Sequence, residues 1–420
     1  MDQSEALQIL KSGRSVFLTG QAGSGKTYVL KEYIKFLRDK GKLVGVTAST
    51  GVAATHLDGM TIHAWTGMGI LDNLTKKDLK KIIKKKGVSL RIRNVQTLII
   101  DEISMFSAGH LDIAEEIIRY ARGTWEPFGG MQVVFCGDFF QLPPVNRCGV
   151  ESMGKFAYHS RAWKELKPEV CYLTEQYRHK DQNYINVLNA IRTNSANKET
   201  LDILSQRFKS IPDGRTNLYT HNVDVDKINE RELSKLDGKE FVFHMYSSGP
   251  AALVKTLHKS CLASEVLTLK KGAFVMFLRN NFEGGYVNGT FGVVDSFNNA
   301  GYPIIRTQQG KLINVLPEDW RIKNESGKVL ASITQLPLRL AWAITVHKSQ
   351  GMTIDSAEID LSKCFEPGMG YVALSRVRTL EGISLRGINQ MALRVNQEVV
   401  AMDKEFQLCS EKVVKKLIGK

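Results

Sequence analysis

The segment that most limits what this chain can fold into is GQAGSGKT, residues 20–27. It fits the pattern G-x-x-x-x-G-K-[ST], a loop that works only when a buried strand feeds it and a helix leaves it. Residues 15–19 (SVFLT) read as that strand and residues 26–39 as that helix. Gly20, Gly23 and Gly25 let the backbone bend so that successive N–H groups, with those of Ala22 and Ser24, face one phosphate. The helix N-terminus adds its dipole. Lys26 is expected on the β/γ-phosphates and the Thr27 hydroxyl on Mg²⁺. A merely flexible glycine-rich loop is the weaker reading, because both flanking elements are present.

Three more strands follow at residues 43–47, 97–100 and 132–136, with helical stretches between them. Strands alternating with helices imply a parallel sheet with both faces covered. The third strand runs into Asp101 and Glu102, about 75 residues after the loop. Asp101 can hold the Mg²⁺ through water, and Glu102 can take a proton from an attacking water. The Mg²⁺ would be carried by the nucleotide's phosphates, Thr27 and Asp101 rather than by a protein cage. The fourth strand is followed by GDFFQLPP, in which Gln141 is placed to sense a γ-phosphate.

From residue 239 to 331, short apolar runs separated by Gly, Asn and Pro read as an antiparallel β insertion. The expected division is a first lobe at 1–170 with a small basic insertion at about 68–95, and a second lobe at 171–238 and 332–395. The β-rich insertion (239–331) interrupts the second lobe, and an amphipathic helical tail occupies 396–420. Apolar content of 43% and charged content of 24% exclude a disordered or collagen-like chain. No apolar run approaches the ~18 residues of a spanning helix, so no membrane partner is expected. The six cysteines form no C-x-x-C pair, which reads as reduced thiols. The net charge of +14 points to a polyanion, nucleic acid before membrane. Its densest source is KKDLKKIIKKKGVSLRIR, residues 76–93, read as a helix with Leu79, Ile82 and Ile83 inward.

Seven segments in order, GQAGSGKT, TASTGVAATHLDGMTIHAWTG, IIDEISM, PFGGMQVVFCGDFFQLPPV, LTEQYRH, AITVHKSQGMT and YVALSRV, resemble the superfamily 1B DNA helicases of the PIF type. RecD and Dda helicases are relatives of that group. The stretch 111–132, with Ala121-Arg122 and PFGGMQ, resembles the signature that separates PIF-type members from those relatives. The match runs over most of the chain, and GDFFQLPPV, VHKSQG and VALSR in that order are its specific part.

The resemblance implies an α/β fold of two RecA-like P-loop NTPase lobes, with a small SH3-like, β-barrel-like subdomain inserted in the second. It implies ATP and Mg²⁺ as cofactors, and a 5′→3′ translocase that unwinds duplex DNA. Gln3 would read adenine, Arg178 and Arg376 would reach the γ-phosphate, and Gln350 and Gly351 would couple ATP to DNA. Single-stranded DNA would run past Ser49, Thr50, Gly51, Thr61, His63 and Pro144 in the first lobe. In the second it would pass His221, Asn222, Thr345, His347, Lys348 and Ser349. Trp65 reads as core.

The partners implied are single-stranded DNA and forks, with a G-quadruplex as a further substrate. The expected state is a monomer that can dimerise on DNA, in a bacterial or viral intracellular setting. Two other readings remain open: a RecD-like component of a larger complex with little unwinding of its own, and a scaffold with a dead ATPase. The PFGGMQ segment favours the first reading over the RecD-like one, and the presence of every catalytic position disfavours the scaffold.

Overall fold

The computed structural model describes residues 1–69, 71–144, 156–179, 181–208, 216–219, 225–279, 281, 283–307, 309–324, 326, 328–346, 349, 352–417 and 419. The chain forms two compact units. The first comprises Met1–Tyr177, Arg321–Leu330 and Ala401–Lys420; the second comprises Arg178–Trp320 and Ala331–Val400.

The first unit contains, in chain order, α1 (Gln3–Lys11), β1 (Val16–Gly20), α2 (Lys26–Asp39), β2 (Val44–Ala48), α3 (Gly51–His56), β3 (Met60–Thr61) and α4 (Ile62–Thr66). Next come α5 (Lys76–Ile83), α6 (Lys86–Asn94), β4 (Thr97–Asp101), α7 (Ala108–Arg122), β5 (Gln132–Cys136), α8 (Arg161–Leu166) and β6 (Glu169–Leu173). The six strands form one sheet in the order β3-β2-β4-β5-β1-β6. Every pairing is parallel. Strands β1, β2 and β4 are buried along their whole length, as a sheet covered on both faces requires. The register opposes Ala48 to Asp101 and Leu18 to Cys136, so the carboxyl ends of the central strands finish together. Ligands of open parallel sheets bind at such an edge.

One expectation is corrected by this sheet. The second lobe was expected to start near residue 171, but β6 adds to β1 over five residues, from Val16↔Glu169 to Gly20↔Leu173. An apolar strand reads the same whichever sheet it joins, so the boundary falls later, between Tyr177 and Arg178.

The signature stretch proves to be a joint. The Arg122 guanidinium donates to Gly129 O (2.7 Å), Ile92 O (2.9 Å), Val95 O (2.9 Å) and Arg93 O (3.2 Å). It therefore ties the end of α6 to the PFGG turn. In that turn Phe128 is fully buried with φ +49°. Its N–H donates to the carboxylate of Glu115, which is itself buried and paired with Arg119 at 2.6 Å and Arg161 at 3.4 Å. An apolar side chain held in the left-handed region is strained unless its surroundings fix it, and this bond does so.

The second unit has a four-stranded parallel sheet, in the order Ala343–Thr345, Thr216–Tyr219, Ala357–Leu361, Ile383–Ile388. Helices Gln182–Arg192 and Met369–Arg376 belong to this unit, and the Tyr184 hydroxyl donates to Val377 O at 3.2 Å. The β-rich insertion forms three sheets of two, five and three strands, with a helix at Ala251–Ser260. Strand Leu338–Leu340 pairs antiparallel with Phe274–Phe277, so the inserted sheet extends beyond the expected limit of 331. The C-terminal helix Gln397–Leu417 forms as expected. From Ala401 it counts with the first unit, where Phe406 packs edge-on to Phe17 at 5.0 Å and Ser410 accepts from the Tyr172 N–H at 3.1 Å.

Candidate functional site

The loop after β1 has the backbone its glycines permit. Gly20, Gly23 and Gly25 have φ of +142°, +91° and +86°. A Cβ at Gly20 would lie 2.6 Å from Leu173 O, and one at Gly25 would lie 2.0 Å from the Gln3 amide nitrogen. Lys26 Nζ donates to Gly20 O (2.7 Å) and Gln21 O (3.0 Å), which curls the loop around the ammonium. The Ser24 hydroxyl is buried without a hydrogen-bond partner in the protein. A buried orphan of this kind beside a ring of N–H groups fits a ligand oxygen.

Asp101 closes β4 beneath this loop. Burial raises its carboxyl above the ordinary range, opposed by the Cys136 thiol, the Glu102 N–H (2.9 Å) and the charges of Lys26 and Lys31. Glu102 follows with φ +52° and ψ +45°, a left-handed conformation that an L-residue adopts only when held. Ser49 helps to hold it, donating to Glu102 O at 2.7 Å. Gln141 is buried, and its amide donates to Asp138 at 3.4 Å. Gln3 donates to Ser24 O at 3.3 Å from the start of α1. Lys26, Asp101, Glu102 and Gln3 are thus gathered on one edge of one sheet. The donors suit a polyphosphate, and the hydroxyl of Thr27 with the carboxylate of Asp101 is an oxygen set suited to Mg²⁺.

Three contributors escaped sequence reading. Cys136 touches Asp101 because it is the next cross-strand neighbour after Ile100↔Phe135. Gln176 donates to the Gln21 side chain at 2.8 Å, and the Tyr177 N–H donates to Gly23 O at 3.0 Å, so the segment after β6 is laced onto the loop. The alignment of β4 with β5 was readable in principle from the two apolar runs; the lacing had no local signal.

In the second unit Arg178 and Arg376 are neighbours. Arg376 is 2% exposed, and Arg178 donates to Ser375 O at 2.9 Å. Burial, and then the charge of Arg376, pull the Arg178 guanidinium down to about 9, which leaves it charged at neutral pH. His179 Nε2 donates to Val377 O at 3.0 Å, and burial lowers the imidazole to about 4.

The residues assigned to a nucleic acid have varied surroundings. Thr50 and Thr61 are N-caps, accepting from the N–H of Ala53 (3.2 Å) and Ala64 (3.3 Å). Each keeps a hydroxyl proton to donate, and Gly51 opens α3. His63 is lowered to about 4 by burial and by His110, and packs edge-on to Phe106 at 5.2 Å. It is a neutral imidazole at pH 7, so any contact it makes is not cationic. Pro144 is buried. Ser349 is fully buried and donates to Val346 O at 2.8 Å, so its hydroxyl is not presented to solvent. Thr345 ends a strand of the second sheet. Trp65 is core, 1% exposed. His221, Asn222, His347, Lys348, Gln350 and Gly351 lie outside the described residues.

Residues 2–220 match the model of the PIF1-like helicase family, and residues 252–297 match that of the DNA helicase Pif1 2B domain. The chain is similar to the ATP-dependent DNA helicase Pif1 of Psychrobacter sp., with 43% identity covering 97% of this chain and 71% of that protein. It is 40% identical to the ATP-dependent DNA helicase PIF1 of Xenopus laevis, covering 97% of this chain and 64% of that protein's length. Among solved structures, Bacteroides sp. Pif1 in complex with ADP-AlF4 superposes with a TM-score of 0.81 at 31% identity, covering 97% and 96% of the two chains. Bacteroides Pif1 in complex with ADP-AlF3 and single-stranded DNA gives 0.62 at 31%, covering 97% and 98%.

Proposed function

The chain belongs to the PIF1-like helicase family, ATP-dependent DNA helicases, and from that premise we propose that it moves 5′→3′ along single-stranded DNA and unwinds duplex DNA at forks. The observation that carries the reading is the edge shared by Gly20, Lys26, Asp101 and Glu102, with the buried Ser24 hydroxyl turned to no protein partner. A nucleotide cradle and a proton-accepting carboxylate meet there, which supports hydrolysis and disfavours a dead scaffold.

ATP supplies the phosphoanhydride that is cleaved, and Mg²⁺ supplies charge neutralisation at its oxygens. The chain's own residues do the rest. Gln3 reads the base edge. The N–H groups of residues 22–25 and Lys26 bind phosphate oxygens. Thr27 and Asp101 hold the metal. Glu102 accepts the proton of the attacking water at its carboxylate, and its left-handed backbone sets where that carboxylate stands. Gln141 orients toward the γ-phosphate. Arg178 and Arg376 belong to the other unit, so their charge reaches the γ-oxygens only when the units close; a guanidinium so delivered is worth ~10³–10⁵ in rate. Gln350 and Gly351 transmit that closure to the DNA.

For the strand, Ser49, Thr50, Gly51, Thr61 and His63 contribute hydroxyl, backbone and imidazole donors from the first unit. His221, Asn222, Thr345, His347 and Lys348 contribute from the second. Such contacts address phosphates, so binding is sequence-tolerant and weakens with salt. Pro144 and Ser349 act by shaping their segments, in keeping with their burial.

The test is unwinding of forked duplexes bearing either a 5′ or a 3′ single-stranded tail, in Mg-ATP. Unwinding from the 5′ tail is expected; unwinding only from the 3′ tail overturns the polarity. ATP hydrolysis that single-stranded DNA does not stimulate overturns the motor reading itself. The same assay on a G-quadruplex or an RNA–DNA hybrid shows whether either is also a substrate.

A further inference from the structure

The first unit carries a surface that the nucleotide edge and the strand-binding segments do not use. Residues 76–86 hold seven lysines and one carboxylate, six of the chain's fourteen net positive charges in eleven residues. All seven lysines are exposed. Asp78 is spent on the capping box of α5 with Thr75. Among the described residues, none of the seven lysines is in an ion pair with a carboxylate.

Helical spacing concentrates the charge. Lys77, Lys80, Lys81 and Lys84 fall at i, i+3, i+4 and i+7, one stripe about 10 Å long. Leu79 and Ile82, on the opposite side, are buried. Like charges at i and i+4 repel, so this stripe weakens its own helix. The stripe is nevertheless seated firmly. Ile82 and Val88 pack toward Gly67, where a Cβ would lie 3.2–3.3 Å from their methyl groups. Arg122 ties down the end of α6 through the carbonyls of Ile92, Arg93 and Val95. Self-repelling lysines on a fixed seat suit a partner that is itself rigid and densely anionic.

We propose that the Lys77–Lys84 face of α5 docks the phosphate backbone of double-stranded nucleic acid, the duplex that the motor opens. The face offers lysines and no exposed aromatic ring, whereas single-strand grooves combine charge with stacking platforms. Duplex DNA presents a charge every ~1.7 Å of its axis, so several of the four lysines can meet phosphates at once. The proposal rests on the helicase reading for which duplex is meant, and its test separates the two.

The probes are a labelled blunt duplex and a labelled oligo-dT, titrated by anisotropy over a series of KCl concentrations. The proteins are the full chain and a variant with Lys77→Ala, Lys80→Ala, Lys81→Ala and Lys84→Ala. The substituted positions are exposed and alanine favours helix, so circular dichroism should be unchanged. The salt slope for the duplex is expected to fall by about 3–4, one phosphate contact per lysine removed. Oligo-dT affinity and oligo-dT-stimulated ATPase should stay within about twofold. An unchanged duplex slope overturns the proposal and points to an acidic protein or no partner. Equal losses on both probes overturn it as well, and assign the face to the single strand. Absence of stimulated ATPase in the unsubstituted chain would count against the motor reading while leaving the duplex result to stand by itself.

Discussion

The two units handle buried charge in opposite ways. In the first, Lys26 opens α2 and Asp101 closes β4, and backbone carbonyls and N–H groups answer them: Gly20 and Gln21 for the lysine, Glu102 for the aspartate. In the second, half-buried Arg178 stands beside buried Arg376, and burial and then the Arg376 charge lower the Arg178 guanidinium's preference for charge. The first arrangement is a finished cradle. The second is a pair of like charges that, in the role proposed for them, an incoming anion would offset. The contrast separates binding from turnover, and the substitutions below can break it, from the largest effect to the smallest.

Lys26→Ala is expected to abolish measurable ATP hydrolysis, read as phosphate release with single-stranded DNA present. Arg376→Ala should lower turnover by about 10³-fold. A fluorescent nucleotide should still bind Arg376→Ala almost as tightly as the unsubstituted chain. If Arg376→Ala instead loses binding with turnover unchanged, the division of labour between the units is wrong.

The signature joint tests whether the first unit also contains a charge that must be answered. Glu115→Ala leaves Arg119 and the Phe128 N–H without their buried carboxylate, and should cost about 3 kcal/mol in urea unfolding. Arg122→Ala frees four carbonyls that water can partly reach, and should cost about 2 kcal/mol. An Arg122→Ala protein as stable as its parent would show that the basic helices are held by apolar packing alone.

The smallest effect concerns pH. His63 in the first unit and His179 in the second are both lowered to about 4, first of all by burial. The unfolded imidazole, near 6.5, takes up its proton before the folded one does. Stability is therefore complete above about pH 6.5, declines as the pH falls, and stops declining below about 4. Urea midpoints across that range should show the slope, and His63→Phe should remove the first unit's share.

Much of this was legible before any coordinates. α2 begins and ends at Lys26 and Asp39, and β5 at Gln132 and Cys136, as their apolar patterns indicated. The basic stretch 76–93, read as one helix, is two, α5 and α6, and of its inward residues Leu79 and Ile82 are buried while Ile83 is only half-buried. The lobe boundary was misplaced because β6 is an ordinary apolar strand, and which sheet an apolar strand joins is a long-range choice. Thr50 and Thr61 were read as DNA donors without their capping role, which needs helices α3 and α4, too short for periodicity to reveal. Ser349, which the resemblance placed along single-stranded DNA, is buried, and its hydroxyl can be because it donates to Val346 O.

By itself the sequence determined the local chemistry: a glycine loop free to take positive φ, a lysine at the helix start that follows it, carboxylates at a strand end, and an alternation of apolar strands with helices that implies a parallel sheet. Those properties depend on neighbours a few residues away. Only the tertiary structure decided that Cys136 touches Asp101, that Arg122 joins α6 to the PFGG turn, and that Arg178 lies beside Arg376. Each of these is a contact across tens or hundreds of residues, set by packing and strand register rather than by any spacing along the chain.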